Sequence, residues 1–137
     1  MTNENSKAQT ACPPDSCPAI RRVMMPRDTN ALGTIFGGVI LSEIDLAAAT
    51  EAHKHWPHML VTVALDGVEF HEPVHVGDLV SFHTTTDRIG RTSIRVKVDV
   101  WAKRRFGGGH DVMVTVAYVT MVAVDDEMRP VPVPRPE

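Results

Sequence analysis

The sequence predicts an α+β fold in which a curved antiparallel β-sheet wraps around one long central helix. Two observations carry this reading. A single apolar helical segment lies early in the chain, between a glycine-rich loop and Pro57, and every later segment has strand-like periodicity. The strand segments are joined mostly by short turns, and a sheet of that kind has to bury one face against something, here the helix. With 137 residues there is room for one domain and one core.

Residues 1–18, with three prolines among Asn, Ser, Lys, Gln and Thr, read as a flexible N-terminal arm. The folded domain is expected over 19–128. Ala19 to Met25 is a short edge strand stopped by Pro26. The helix runs from Gly37 to about Trp56 and ends because a residue before proline is pushed out of the α region. Its residues Val39, Ile40, Leu41, Ile44, Leu46, Ala47, Ala48 and Ala49 are apolar nearly all round, which predicts a core helix. Met59 to Phe70 is the next strand, closing at His71-Glu72-Pro73. Leu79 to Arg88 follows and meets a hairpin turn at Ile89-Gly90-Arg91. After that turn Ile94, Val96, Val98 and Val100 alternate with Ser93, Arg95, Lys97 and Asp99, one face for the core and one for water. Gly107-Gly108-Gly109 makes a loop, and His110 to Val124 is the last strand, with Val112, Val114, Val116 and Tyr118 on one side. Residues 129–137 form a Pro-rich tail, extended or disordered, because alternating prolines remove donors that a sheet needs.

Composition narrows the function. A formal net charge of −3 and a pI near 6.1 argue against nucleic acid as a partner. No secretory segment is seen, and no apolar run approaches the ~20 residues that span a bilayer, so a cytoplasmic protein without a membrane partner is expected. Cys12 and Cys17 are the only cysteines, and their spacing in a polar segment marks incidental thiols. The 7 histidines show no ligand spacing: His53 and His55 point apart on the helix, His55 and His58 straddle Pro57, and the others are scattered. No metal site is expected.

The chemistry concentrates between Asp28 and Asp45. Gly37 and Gly38 stand where the helix begins, and glycine there lets another molecule approach backbone N–H groups that have no intrahelical partner. Those groups, with the positive end of the helix dipole, suit an anion or a developing oxyanion. Asp45 is a carboxylate on an apolar helix and is expected to be desolvated, which marks it as functional. A second signal is basic. Arg88, Arg91, Arg95, Lys97, Lys103, Arg104 and Arg105 are seven of the 14 Lys and Arg residues, opposed between positions 88 and 105 only by Asp99. Such a patch on an acidic protein suits a polyanionic ligand, or else a solvated strand face that protects an edge.

The run Asn30-x-x-Gly33-x-Ile35-Phe36-Gly37-Gly38, with Asp45 seven positions after Gly38, resembles the hotdog-fold acyl-CoA thioesterases, in particular the YciA-type acyl-CoA thioester hydrolases. Arg27-Asp28-Thr29-Asn30, Val74-x-Val76-Gly77-Asp78 and Gly90-x-Thr92-Ser93 match as well, and the resemblance covers residues 20–130. It implies a hotdog homodimer, commonly assembled into a hexamer as a trimer of dimers, that cleaves acyl-CoA to free acid and CoA without a cofactor. It further implies that Asp45 is general base or nucleophile, that Asn30 orients water or the carbonyl, and that the N–H groups of Gly37 and Gly38 form the oxyanion hole. For substrate contacts it favours Phe36, the turn at Arg91, Thr92 and Ser93, and the end at Lys103, Arg104 and Arg105.

Spacing adds a constraint of its own. Gly38 and Asp45 are ~10 Å apart along one helix axis, too far to serve one thioester carbon. Two helices antiparallel across a two-fold axis would bring the glycine end of one to the Asp45 of the other. Two rival readings remain. A hotdog hydratase or dehydratase needs an acid–base pair, usually with a histidine, but Phe36 stands where the histidine would be. A non-catalytic acyl-CoA sensor has no use for Asp45.

Overall fold

The structure, a computed structural model, describes residues 17–135. In chain order it contains β1 (Ile20–Val23), a 3₁₀ turn (Pro26–Asp28), α1 (Gly37–Ala52), β2 (Leu60–Asp66), β3 (Leu79–Ile89), β4 (Ser93–Lys103) and β5 (Asp111–Ala123). All five strands form one antiparallel sheet in the order β1-β3-β4-β5-β2. Strands β3, β4 and β5 are a meander, while β1 and β2, which flank the helix in sequence, take the two edges. Cys12 and nearly all of the expected N-terminal arm lie outside the described residues; Cys17 is exposed. Among the described residues no helix is long and apolar enough to cross a membrane.

Helix α1 packs one face on the sheet. Ile40, Ile44, Ala47, Ala48 and Ala52 are buried against a surface that includes Val80, Phe82, Val96 and Val98. The three alanines let the helix axis come close to the sheet. The expectation of a helix buried all round is not met within one chain: Leu46 is 57% exposed and Asp45 is half-buried. The helix also ends earlier than expected, at Ala52. Beyond it Lys54 N–H donates to the Glu51 carbonyl and His55 N–H to that of Ala52, bonds of the tighter i→i−3 type, and winding stops at Trp56 before Pro57.

The strands depart from the sequence reading at two places. Strand β2 stops at Asp66 rather than Phe70, because Gly67 adopts φ +73°, a conformation that no strand continues. In β4 the alternation holds as far as Val100, with Ile94, Val96, Val98 and Val100 fully buried. There the β4–β5 register shifts, so that Val100 faces Thr115 and Trp101 faces Met113, leaving Val114 as an extra residue. A one-residue bulge inverts the faces of everything beyond it. Val112, Val114, Val116 and Tyr118 therefore do not share a side. Past the bulge the core residues are Ala117, Val119, Met121 and Ala123.

Residues 129–135 are extended and held down. Val131 N–H donates to the Ala123 carbonyl and Val133 N–H to that of Arg91, both at 2.9 Å, and Val133 is buried. The prolines remove alternate donors, but the valines between them use theirs.

The buried carboxylate of α1 is Glu51, 8% exposed. It accepts hydrogen bonds from Thr84 Oγ1 (3.2 Å) and Thr86 Oγ1 (2.7 Å) on β3, and pairs with Lys54 Nζ at 2.9 Å. Thr86 has one hydroxyl hydrogen, so its contact with His55 Nε2 (2.9 Å) is one it accepts. Burial by itself raises the Glu51 pKa, but Lys54 and the two threonine hydroxyls together outweigh it and hold the group below its ordinary value of 4.5.

A depressed carboxylate pKa contributes stability that is present above the unfolded pKa and lost as pH falls through the folded one. Thr86→Val is expected to cost about 1–3 kcal/mol at neutral pH. Urea unfolding of both proteins at falling pH should show the difference shrinking once pH passes below about 4.5. A difference that stays constant through the carboxylate range would show that the Glu51 charge does not clamp the helix end.

Candidate active site

The approach to α1 is built by Asp28. Its side chain accepts the Met25 N–H at 2.9 Å through Oδ2, and its backbone carbonyl accepts the Phe36 N–H at 2.8 Å. Both ends of the 28–36 loop therefore meet at one residue. Inside the loop Thr29 and Ile35 form an isolated antiparallel bridge, and Gly33 turns the chain at φ +89°. Asn30 organises that turn: Oδ1 accepts N–H groups of Leu32 (2.8 Å) and Thr34 (3.3 Å), and Nδ2 donates to Thr34 Oγ1 at 3.1 Å. This is the common use of asparagine in a loop, and it engages one of the two Nδ2 hydrogens.

Gly37 and Gly38 are the first two residues of α1. Val39 N–H donates to the Phe36 carbonyl at 3.0 Å, whereas the N–H groups of Gly37 and Gly38 lie in the first turn, where the helix offers no acceptor. Neither glycine has positive φ, and a side chain would meet tight contact only at Gly38. A Cβ on Gly38 would lie 2.6 Å from the Phe36 ring, and one on Gly37 would lie 3.5 Å from the Phe70 ring. Phe36 is itself 57% exposed, an aromatic ring laid over the start of the helix. Beside it opens a cleft of about 200 Å³, lined by Ile35, Gly37, Ile40, Phe70, Glu72 and Val74. That is below the ~300–1,000 Å³ of ordinary ligand sites.

Asp45 lies two turns along α1, ~10 Å from Gly38. Its Oδ1 accepts a 2.6 Å hydrogen bond from Thr62 Oγ1 on β2, at the point where the β2–β5 register shifts. Thr62 is a partner of Asp45 that the sequence reading missed, since its periodicity marks only a strand residue. Beside it Val63 is 57% exposed on an edge strand. Glu43, two residues from Asp45, instead accepts from Arg22 Nη1 at 2.9 Å.

The basic residues do not form one patch. The ten steps from Ser93 to Lys103 at ~3.3 Å each place Arg91, Thr92 and Ser93 ~33 Å from Lys103, Arg104 and Arg105. The Lys103 end is the one near the helix N-terminus, since Arg105 Nε donates to the Gly77 carbonyl at 3.2 Å and Arg104 reaches Glu72 of the cleft at 3.8 Å. Arg104 is largely buried and donates to the buried Asp78, so much of its charge is used inside the fold. Lys103 pairs with Asp111 at 3.3 Å. Arg95 pairs with Asp87 at 3.5 Å and lies 4.6 Å over the Tyr118 ring. At the other end Arg91 is exposed on a turn pinned by Gly90 N–H to the Ser93 carbonyl (2.8 Å) and by Ala123 N–H to the Thr92 carbonyl (2.9 Å). Among the described residues no group of three or more His, Cys, Asp or Glu side chains is arranged to hold a metal ion.

Residues 32–105, from the glycine loop to the end of β4, match the family model of the thioesterase superfamily. The chain is 38% identical over 117 residues to the acyl-CoA thioester hydrolase YciA of Salmonella typhimurium, covering 84% of this chain and 88% of that protein. Among solved structures, a hexameric hotdog-fold thioesterase of Campylobacter jejuni is 42% identical with a TM-score of 0.82, over 87% of this chain and 91% of the other. The hexameric thioesterase y2039 of Yersinia pestis is 37% identical with a TM-score of 0.84, over 90% of this chain and all of the other. A chain with this loop, this helix and these relatives belongs to the thioesterase superfamily and has the hotdog fold.

Proposed function

We propose that the protein hydrolyses acyl-CoA thioesters to free acid and CoA at a site shared between two copies of the chain. The observation that carries this reading is the pairing, on one helix, of two glycine N–H groups at its start with a hydrogen-bonded carboxylate two turns on. The thioester oxygen sits on the N–H groups of Gly37 and Gly38, which hold the negative charge as it builds. Asp45 of the opposing copy takes a proton from water, and the water oxygen bonds to the acyl carbon. Thr62 occupies Asp45 Oδ1, which leaves Oδ2 for that proton. When the tetrahedral intermediate collapses the carbon–sulfur bond breaks, and CoA leaves as thiolate to take up a proton. Asn30 keeps the loop in shape and has a second Nδ2 hydrogen for the water or the carbonyl. These steps call on no metal or organic cofactor.

Self-association has its own support. The exposed Leu46 and Val63, each next in sequence to a member of the Asp45–Thr62 pair, are apolar side chains for a second copy to cover. Two α1 helices antiparallel across a two-fold axis make two composite sites per dimer, and three such dimers make the hexamer. Because Arg91 and Arg105 stand at opposite ends of β4, a single chain cannot bring both to one pyrophosphate. Phe36 and the Lys103 to Arg105 end border the chain's own glycine loop, and the turn Arg91-Thr92-Ser93 reaches CoA from a neighbour. The hydratase alternative lacks a histidine beside the glycines, where Phe36 lies.

Asp45→Asn is expected to lower thiol release from acyl-CoA by at least about 100-fold while CoA binding by calorimetry stays within a few-fold, the signature of a lost general base. Activity within a few-fold of wild type would remove Asp45 from the reaction. Arg91→Glu should raise KM for CoA esters by about tenfold, the scale of one charge-assisted contact, and leave KM for a small phosphate-free thioester unchanged. Equal changes for both substrates would show that the turn does not read the nucleotide.

A further inference from the structure

The proposed chemistry requires the 28–36 loop, which carries Asn30, to keep a fixed relation to α1, whose first turn carries the Gly37 and Gly38 N–H groups. One residue outside the site joins them. Arg22, on the edge strand β1, donates through Nη2 to Asp28 Oδ1 at 2.7 Å and through Nη1 to Glu43 Oε2 at 2.9 Å. Asp28 is the buried anchor at which both ends of the glycine loop meet. Glu43 is two residues before Asp45 on α1. The Asp28 and Glu43 side chains are nearly buried and Arg22 is about a quarter exposed, so these are partly desolvated contacts rather than surface pairs.

We propose that Arg22 is a positioning residue for hydrolysis: its guanidinium locks the 28–36 loop, which carries Asn30, to the helix whose first turn carries the oxyanion hole. The planar fork of arginine suits this, since its two terminal nitrogens reach two carboxylates on different elements at once. A lysine ammonium keeps the charge but presents a single point to both. Without any cation two half-buried carboxylates face each other, and repulsion moves the loop against the helix. Displacements of that kind far from the reacting atoms lower turnover more than they lower binding.

This rests on the hydrolase reading above, and the wild-type enzyme is the control that separates the two: no thiol release from wild type would fail that reading, not the role of Arg22. In the assembled enzyme Arg22→Gln should lower kcat by about tenfold or more with KM within about threefold, and CoA affinity should be unchanged. Arg22→Lys should recover part of the loss. A merely structural arginine would instead lower the melting temperature and the folded fraction while kcat per folded site stayed at the wild-type value. Glu43→Leu removes only the helix arm of the lock, so it reads the proposal even where Arg22→Gln does not fold. It should lower kcat several-fold with the melting temperature nearly unchanged. Wild-type kcat in a folded Arg22→Gln or Glu43→Leu enzyme, or a loss carried wholly by KM, would overturn the assignment.

Discussion

The fixed rise of an α-helix is the constraint on which the active-site arrangement depends. Seven residues separate Gly38 from Asp45, and a helix turns that into ~10 Å whatever surrounds it. Groups that stabilise an oxyanion and a group that activates water have to converge on one carbon, so in the proposed mechanism a single α1 carries halves of two different sites. The exposed side chains of Leu46 and Val63 and the small cleft support that proposal.

The remainder of the fold holds α1 in place at three points. Its middle rests on the sheet through Ile44, Ala47 and Ala48. Its C-terminal end is tied to β3 by Glu51, Thr84 and Thr86, a contact whose strength depends on the Glu51 charge. Its N-terminal end is set by Asp28, which closes the glycine loop through both its side chain and its carbonyl. Even the buried Asp78–Arg104 pair serves this arrangement, because it anchors the segment beside the cleft to the end of β4. Charges that read as a ligand patch along the sequence are in part the fasteners of the fold.

Much of this was legible in the sequence, for physical reasons. Glycines followed by an apolar run mark a helix start with open N–H groups, and the order of one helix and then strands marks the layer arrangement. The carboxylate at Asp45 stood out because it interrupts an apolar segment. What escaped depended on pairing between distant residues. Thr62 looks like any strand threonine until β2 lies beside α1. The bulge at Val114 has no local signal and inverts the face of β5, so Val116 and Tyr118 turn away from the core. Glu51 rather than Asp45 is the buried acid of the helix, because only Glu51 lies over β3. Arg104 is drawn into the fold, unlike Arg105, chiefly through Asp78, a partner 26 residues away.

The measurement that tests the shared site most directly is subunit mixing. Asp45→Asn and a Gly38 variant, each inactive alone, are co-expressed and the whole pool of assemblies is purified. With sites built across the two-fold axis, random pairing makes half of the dimers mixed, each with one intact site, so thiol release should return to about a quarter of wild type. No recovery in verified mixed dimers would mean that the glycines and Asp45 of one chain serve the same carbon, and a site shared across the two-fold axis would be ruled out.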